Sequence, residues 1–276
     1  MTRRELTIVL RSPGFWIGIV AFGLLLTGGA MLPAAMFADP DPALGAAFLL
    51  GPATDIVLPL IAIIFGHAVI AGRRENGEFN QLLGFPYRRG ELCLLLATAR
   101  IVAVVGTILL TCLVAAGAIW WIYGSISITR AGAFIALTAL TAGIYTTIAI
   151  GVSAMVRTRI RALGILLGGF AIAYGIWEPL LEGIRATDRI DRSWPDRLIQ
   201  ANPLHAYSSI ADAILPAAPH VNVVFDDGDL IADAGSVVGG TDPTFTTVGI
   251  PLLVLLGWWC LPLLLGLYSV TSADLT

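Results

Sequence analysis

Long apolar runs alternate along this chain with short polar joints. The runs fall at roughly 14–37, 52–72, 92–123, 131–156, 162–181 and 244–270. About 20 apolar residues suffice to cross a hydrocarbon core of ~30 Å. Each run is read as a helix, because a segment in lipid has to satisfy its own backbone amides. The pattern predicts an all-α polytopic membrane protein, a single transmembrane domain over 1–276 with six spans. The third run is longer than one crossing needs, so its first turns are expected below the membrane or along its surface.

Composition agrees: 57% of the residues are hydrophobic and 13% charged, against about a quarter charged in soluble domains. The placement of arginine then orients the helices. Arg3, Arg4 and Arg11 precede the first run, Arg73, Arg74, Arg88 and Arg89 lie between the second and third, and Arg157, Arg159 and Arg161 separate the fourth and fifth. The intervening joints hold Asp39 and Asp41, then Arg130 alone. Short basic loops face the cytoplasm, which places both termini there. The opening segment mixes arginines with Leu6, Ile8, Val9, Leu10, Phe15 and Trp16, a composition suited to an amphipathic helix lying in the interface. The first apolar run exceeds the h-region of a signal peptide and is expected to be retained as a span.

The joint over 182–243 is the one sizeable polar segment. Nine aspartates, among them Asp188, Asp212, Asp226, Asp227 and Asp229, outnumber its four arginines. Leu204, Tyr207, Ile210, Ala211 and Ile214 recur at helical spacing. They predict a short helix on or dipping into the outer surface. The remainder is expected to be irregular, and the DDGD sequence lacks the ligand spacing of an EF-hand.

Several chemistries are excluded. All basic residues are arginine and there is no lysine, so neither a P-loop nor a Schiff base can form. His67, His205 and His220 are scattered, and no G-x-S-x-G elbow occurs. No catalytic or metal-ligating set is expected. Ionisable residues inside spans are functional suspects by default, and His67, Arg100 and Glu178 are possible intramembrane polar groups. Cys93, Cys112 and Cys260 fall in spans without ligand spacing and read as buried small hydrophobes. Gly164, Gly168 and Gly169 form a small-residue face suited to close helix packing. Trp120, Trp121 and Trp177 read as interfacial belt anchors.

The connector over 73–91 carries the most information. Its sequence RRENGEFNQLLGFPYRRGE places acids and a glycine before an apolar patch of Phe79, Leu82, Leu83 and Phe85, with Pro86 as a stop. Such a segment can rest on headgroups or dock into a groove on another protein. It resembles the connector of ABC-2 type export permeases, of the form R-E-x-G-[ST] followed by L-L-S-x-P-x-S-R. Arg74, Glu75 and Gly77 match its first part; Leu82, Leu83, Pro86 and Arg89 match its second. Glu78 stands where that family has a small hydroxyl residue, and Gly84 and Arg88 stand in place of its serines. The sequence NPLHAY at 202–207 also resembles the family's segment before its last span.

The resemblance implies a permease subunit of an ATP-driven exporter in the cell membrane. It implies pairing with a second permease copy or paralogue and with cytosolic ABC ATPase subunits. Those partners would carry ATP and Mg, leaving this chain without a cofactor, without enzymatic activity and without nucleic acid. Coupling would run through Arg74, Glu75, Gly77, Glu78, Leu82, Leu83, Pro86, Arg89 and Glu91. Two other readings remain open on the residues alone: an ion-coupled carrier or channel acting without an ATPase, and a membrane component of an assembly or maturation system.

Overall fold

The computed structural model describes residues 7, 11, 13–36, 53–78, 89–124, 127–186, 193–214, 220–226, 229–235 and 248–272. Helix α1 covers Pro13–Met36. A π-helical turn at Ala53–Val57 leads into α2, Leu58–Gly66, and α3 follows at Ala71–Glu75. The long helices α4, Arg89–Tyr123, and α5, Ile128–Met155, come next. Helix α6, Arg159–Ala171, passes through a second π-helical turn at Ile172–Ile176 into α7, Trp177–Ala186. Helices α8, Ser193–Gln200, and α9, Pro203–Ile214, precede a hairpin of β1, His220–Asp226, and β2, Asp229–Gly235. Helix α10, Ile250–Ser272, closes the described chain.

Among the described residues, five helical segments are long and apolar enough to cross a membrane: Thr54–Glu75, Gly90–Tyr123, Ile128–Met155, Arg159–Ile184 and Ile250–Ser272. A sixth, shorter apolar stretch is Trp16–Gly29 within α1. Helix α5 is the centre, packed against α2, α4, α6 and α10. Its apolar window is 72% buried, whereas that of Arg159–Ile184 is 11% buried and stands at the edge.

Glycine explains how α5 can hold so many neighbours. A Cβ at Gly151 would collide with the Pro262 backbone of α10, and one at Gly266 would lie 3.0 Å from the Gly151 Cα. A Cβ at Gly66 would likewise strike Ala149. With little apolar driving force between helices in lipid, such backbone-to-backbone contact supplies much of the attraction. By contrast, a Cβ at Gly164, Gly168 or Gly169 would meet no atom within 4 Å. The small-residue face expected from the sequence is therefore bare in the single chain.

The buried threonines of α4 and α5 carry their own solution. Thr107, Thr111, Thr138, Thr141, Thr146 and Thr147 each donate to the carbonyl four residues earlier, at 2.6–2.9 Å. A hydroxyl that back-bonds its own helix can be buried without an outside partner.

The first turns of α4 are packed: Cys93, Leu96 and Ala97 contact the cluster of Val69, Ile70, Ile150, Ala154 and Val270. Three expectations change. Cys260 is exposed, unlike Cys93 and Cys112, because it lies on the outward face of α10. The long joint contains an antiparallel hairpin, with His220 opposite Gly235 and Asp226 opposite Asp229, so the described chain is not purely helical. The predicted short helix is the pair α8 and α9, and Tyr207 of α9 is only 1% exposed. It packs among Phe22, Leu26, Leu58, Ile108 and Ile144. Of the opening segment before α1 only Thr7 and Arg11 are described, joined by an Arg11 amide to Thr7 carbonyl bond of 3.0 Å; Leu6, Ile8, Val9 and Leu10 lie outside the described residues, and Phe15 and Trp16 belong to α1.

Candidate functional site

The second apolar run does not continue straight into the connector. Helix α2 stops at Gly66, and the His67 ring caps it, its Nδ1 donating to the Ile64 carbonyl at 2.8 Å with the Ile63 carbonyl at 3.2 Å. The chain turns over 67–70 and starts again as α3. A helix start leaves amides without partners. Here the Ile70 and Ala71 amides donate to the Ser153 Oγ of α5, at 3.1 and 3.0 Å. Ser153 is fully buried, so a hydroxyl from one span caps the broken end of another.

The next two side chains hold both halves of the α5–α6 joint. Arg74 donates from Nη1 to the Ala154 carbonyl at 2.8 Å and the Val156 carbonyl at 3.5 Å. These are terminal carbonyls of α5, where a helix presents negative charge and welcomes a cation. Glu75 Oε2 accepts the Arg159 amide, the start of α6, at 3.1 Å. An acid at a helix start is favourable for the converse reason. The Arg159 Nε lies 3.8 Å from the same oxygen, an exposed pair that adds little by itself. Thr158 supplies the ordinary cap of α6, accepting from the Arg161 amide at 3.4 Å.

Gly77 then ends the segment with φ +73°, a left-handed conformation that glycine adopts without strain. Its amide donates to the Arg74 carbonyl at 3.2 Å. The stretch Arg74, Glu75, Gly77 is thus one unit: a cation for the end of α5, an anion for the start of α6, and a glycine that turns the chain away.

Other predicted residues are less engaged or lie elsewhere. Glu78 and Glu91 are exposed, Glu91 on the first turn of α4. Arg89 opens α4, while Leu82, Leu83 and Pro86 lie outside the described residues. Arg100 is half-buried on α4. Glu178 of α7 faces His205 of α9, with Oε1 3.5 Å from Nδ1. His67 thus caps the end of α2, and Glu178 sits at the start of α7.

The NPLHAY segment proves to be a second anchor. The Asn202 carbonyl oxygen Oδ1 accepts the Leu204 amide at 3.0 Å, capping α9, and its Nδ2 donates to the Ala173 carbonyl at 2.9 Å. Ala173 lies in the π-helical turn after α6. Two indoles hold the neighbouring chain: Trp177 donates to the Leu198 carbonyl at 3.0 Å and Trp258 to the Ala201 carbonyl at 2.9 Å. Trp177 is thus a tie between helices, while Trp120 and Trp121 are exposed at the end of α4.

A family model described as ABC-2 family transporter protein matches residues 4–275. The chain belongs to the ABC-2 transporter family. No curated protein matches it. As an ABC-2 transporter chain it is a multi-pass membrane protein, and its place in transport is that of a permease. The resemblance in the connector and in NPLHAY now has physical content, since Arg74, Glu75, Gly77, Asn202 and Tyr207 of this ABC-2 chain each hold a helix end or a core position. Ser153, the α5–α6 joint and Asp55 were missed as site residues. Ser153 is a lone hydroxyl in an apolar run, and Asp55 reads as an ordinary acid at the start of one.

Proposed function

We propose that this chain is the permease subunit of an ATP-driven exporter, with six spans and both termini in the cytoplasm of a cell whose plasma membrane holds it. Two cytosolic ATPase subunits bind the connector, hydrolyse ATP with Mg, and displace it; a second permease copy or paralogue completes the path. The observation that carries this reading is the double capping by Arg74 and Glu75. A push on α3 cannot be absorbed in a loose loop, because its side chains are fastened to the end of α5 and the start of α6. The connector therefore moves the central helix and an edge helix together.

Gentle detergent purification from the native host, with mass spectrometry of co-eluting chains, tests the assembly. An ATPase with a Walker motif near equal stoichiometry, lost when 73–91 is scrambled, is the expected result. Purification of the chain alone from intact membranes, unaffected by scrambling, would refute the coupling assignment.

A further inference from the structure

At the opposite end of the second span from the connector, a second polar cluster lies inside the bundle. Asp55 projects from the π-helical turn Ala53–Val57, and such turns recur at functional sites because they open the regular helix. The helical stretch from Ala53 to Gly66 rises roughly 20 Å before the turn at 67–70, so this cluster and the connector lie at opposite ends of the second span. The Asp55 Oδ1 is buried without a hydrogen-bond partner, and so is the Tyr207 hydroxyl. Tyr207 is 1% exposed, Thr54 2% and Thr138 0%. The Tyr207 hydroxyl lies beside the Thr54 and Thr138 hydroxyls without reaching good bonding geometry, and within electrostatic range of Asp55. Asp212 of α9 and Tyr145 of α5 lie within electrostatic range of Asp55.

Buried polar atoms are normally paired, and two orphans in one cluster mark a place that something else completes. The charge present is negative, from two carboxylates, and the hydroxyl oxygens of Tyr207, Thr54 and Thr138 can each accept a hydrogen bond. The Thr138 proton is already given to the Phe134 carbonyl. A proton alone on Asp55 would neutralise a charge and leave the Tyr207 oxygen unmatched. A divalent metal wants six or more oxygens with several carboxylates, and among the described residues no group of three His, Cys, Asp or Glu comes together. An ammonium group brings a charge and three donors, and two tyrosine rings nearby suit a cation as well.

We propose that Asp55, Asp212 and the Tyr207 hydroxyl form a binding site for a protonated amine, which makes cationic amines the substrate class of this permease. The inference rests on the permease reading for its transport meaning, but the binding itself needs no ATPase. Asp55 Oδ1 holds the charge, the Tyr207 and threonine oxygens take the remaining N–H groups, and Asp212 draws cations toward the end of the bundle.

The test is isothermal titration of the purified chain with n-butylammonium chloride, against 1-butanol, sodium chloride and calcium chloride at matched ionic strength. Saturable binding of butylammonium alone is expected, weakened tenfold or more in Asp55→Asn and several-fold in Tyr207→Phe. Both variants should unfold no earlier than wild type, since Asp55→Asn removes a buried charge and Tyr207→Phe an unmatched buried hydroxyl. No saturable binding, equal binding in Asp55→Asn, or binding of sodium or calcium in preference to the amine would each overturn the proposal. Any of these leaves the co-purification result standing, whereas loss of the ATPase partner would remove the permease reading and not the bound amine.

Discussion

The Arg74 guanidinium donates to the Ala154 carbonyl at 2.8 Å, joining residues 80 positions apart. The bond fastens the short helix of the connector to the last turn of the central span. A charged hydrogen bond of this kind contributes about 1.5–3 kcal/mol. Arg74→Ala should lower the thermal midpoint of the purified chain and, in the assembled transporter, leave ATP hydrolysis running while transport falls. Arg74→Lys should recover only part of both, because one ammonium cannot reproduce the guanidinium fork. Parallel assays of hydrolysis and transport in vesicles check the split; equal loss of the two would remove the coupling role.

Ser153→Ala tests the cap that crosses between spans. It strands the Ile70 and Ala71 amides, both of which donate to Ser153 Oγ. Each unmatched buried donor costs about 1–3 kcal/mol. Hydrogen exchange should accelerate at residues 70–75 while the middle of α5 stays protected. Unchanged exchange there would show that the turn holds itself.

The left-handed backbone at Gly77, φ +73°, makes a graded series informative. Gly77→Ala should cost about 1–2 kcal/mol from the Cβ clash, and Gly77→Asn less, since asparagine tolerates this region. No space argument interferes, because nothing lies within 4 Å of an added Cβ. Thermal unfolding of both variants measures the order; Ala above Asn would contradict the backbone conformation.

Two alanine substitutions separate the packed glycines from the bare ones. Gly151→Ala forces α5 and α10 apart, since its Cβ would collide with the Pro262 backbone. Overpacking of this kind costs about 1–3 kcal/mol. Gly164→Ala meets open space and should leave the isolated chain as stable as before. A loss in Gly164→Ala that appears only in the assembled transporter would locate a helix from another subunit on that face.

Much of this architecture is legible in the sequence, and the reasons for the gaps are specific. Membrane helices announce themselves because lipid tolerates one kind of run, and spans read as 131–156 and 244–270 differ by a few residues from α5 and α10. Arg74, Glu75 and Gly77 stood out as a motif, yet their partners at 154–159 did not. A carbonyl acceptor leaves no trace in residue type, and no local period links positions 80 apart. The π-helical turn at Ile172–Ile176 was missed because its broken carbonyl is answered by Asn202, about thirty residues on. The hairpin was legible and passed over: Asp227-Gly228 lies between VNVVF and LIA, a strong turn signal between β-prone runs.

The glycine crossing of α5 and α10 also fixes where the tightest helix contact sits. Gly151 lies about 6 Å of helix rise from the Met155 end of α5 and about 35 Å from the Ile128 end. The backbone crossing with Pro262 is thus about one turn from the carbonyls that Arg74 grips. A displacement entering through the connector meets the seam with the last helix almost where it arrives, before it meets the rest of the bundle.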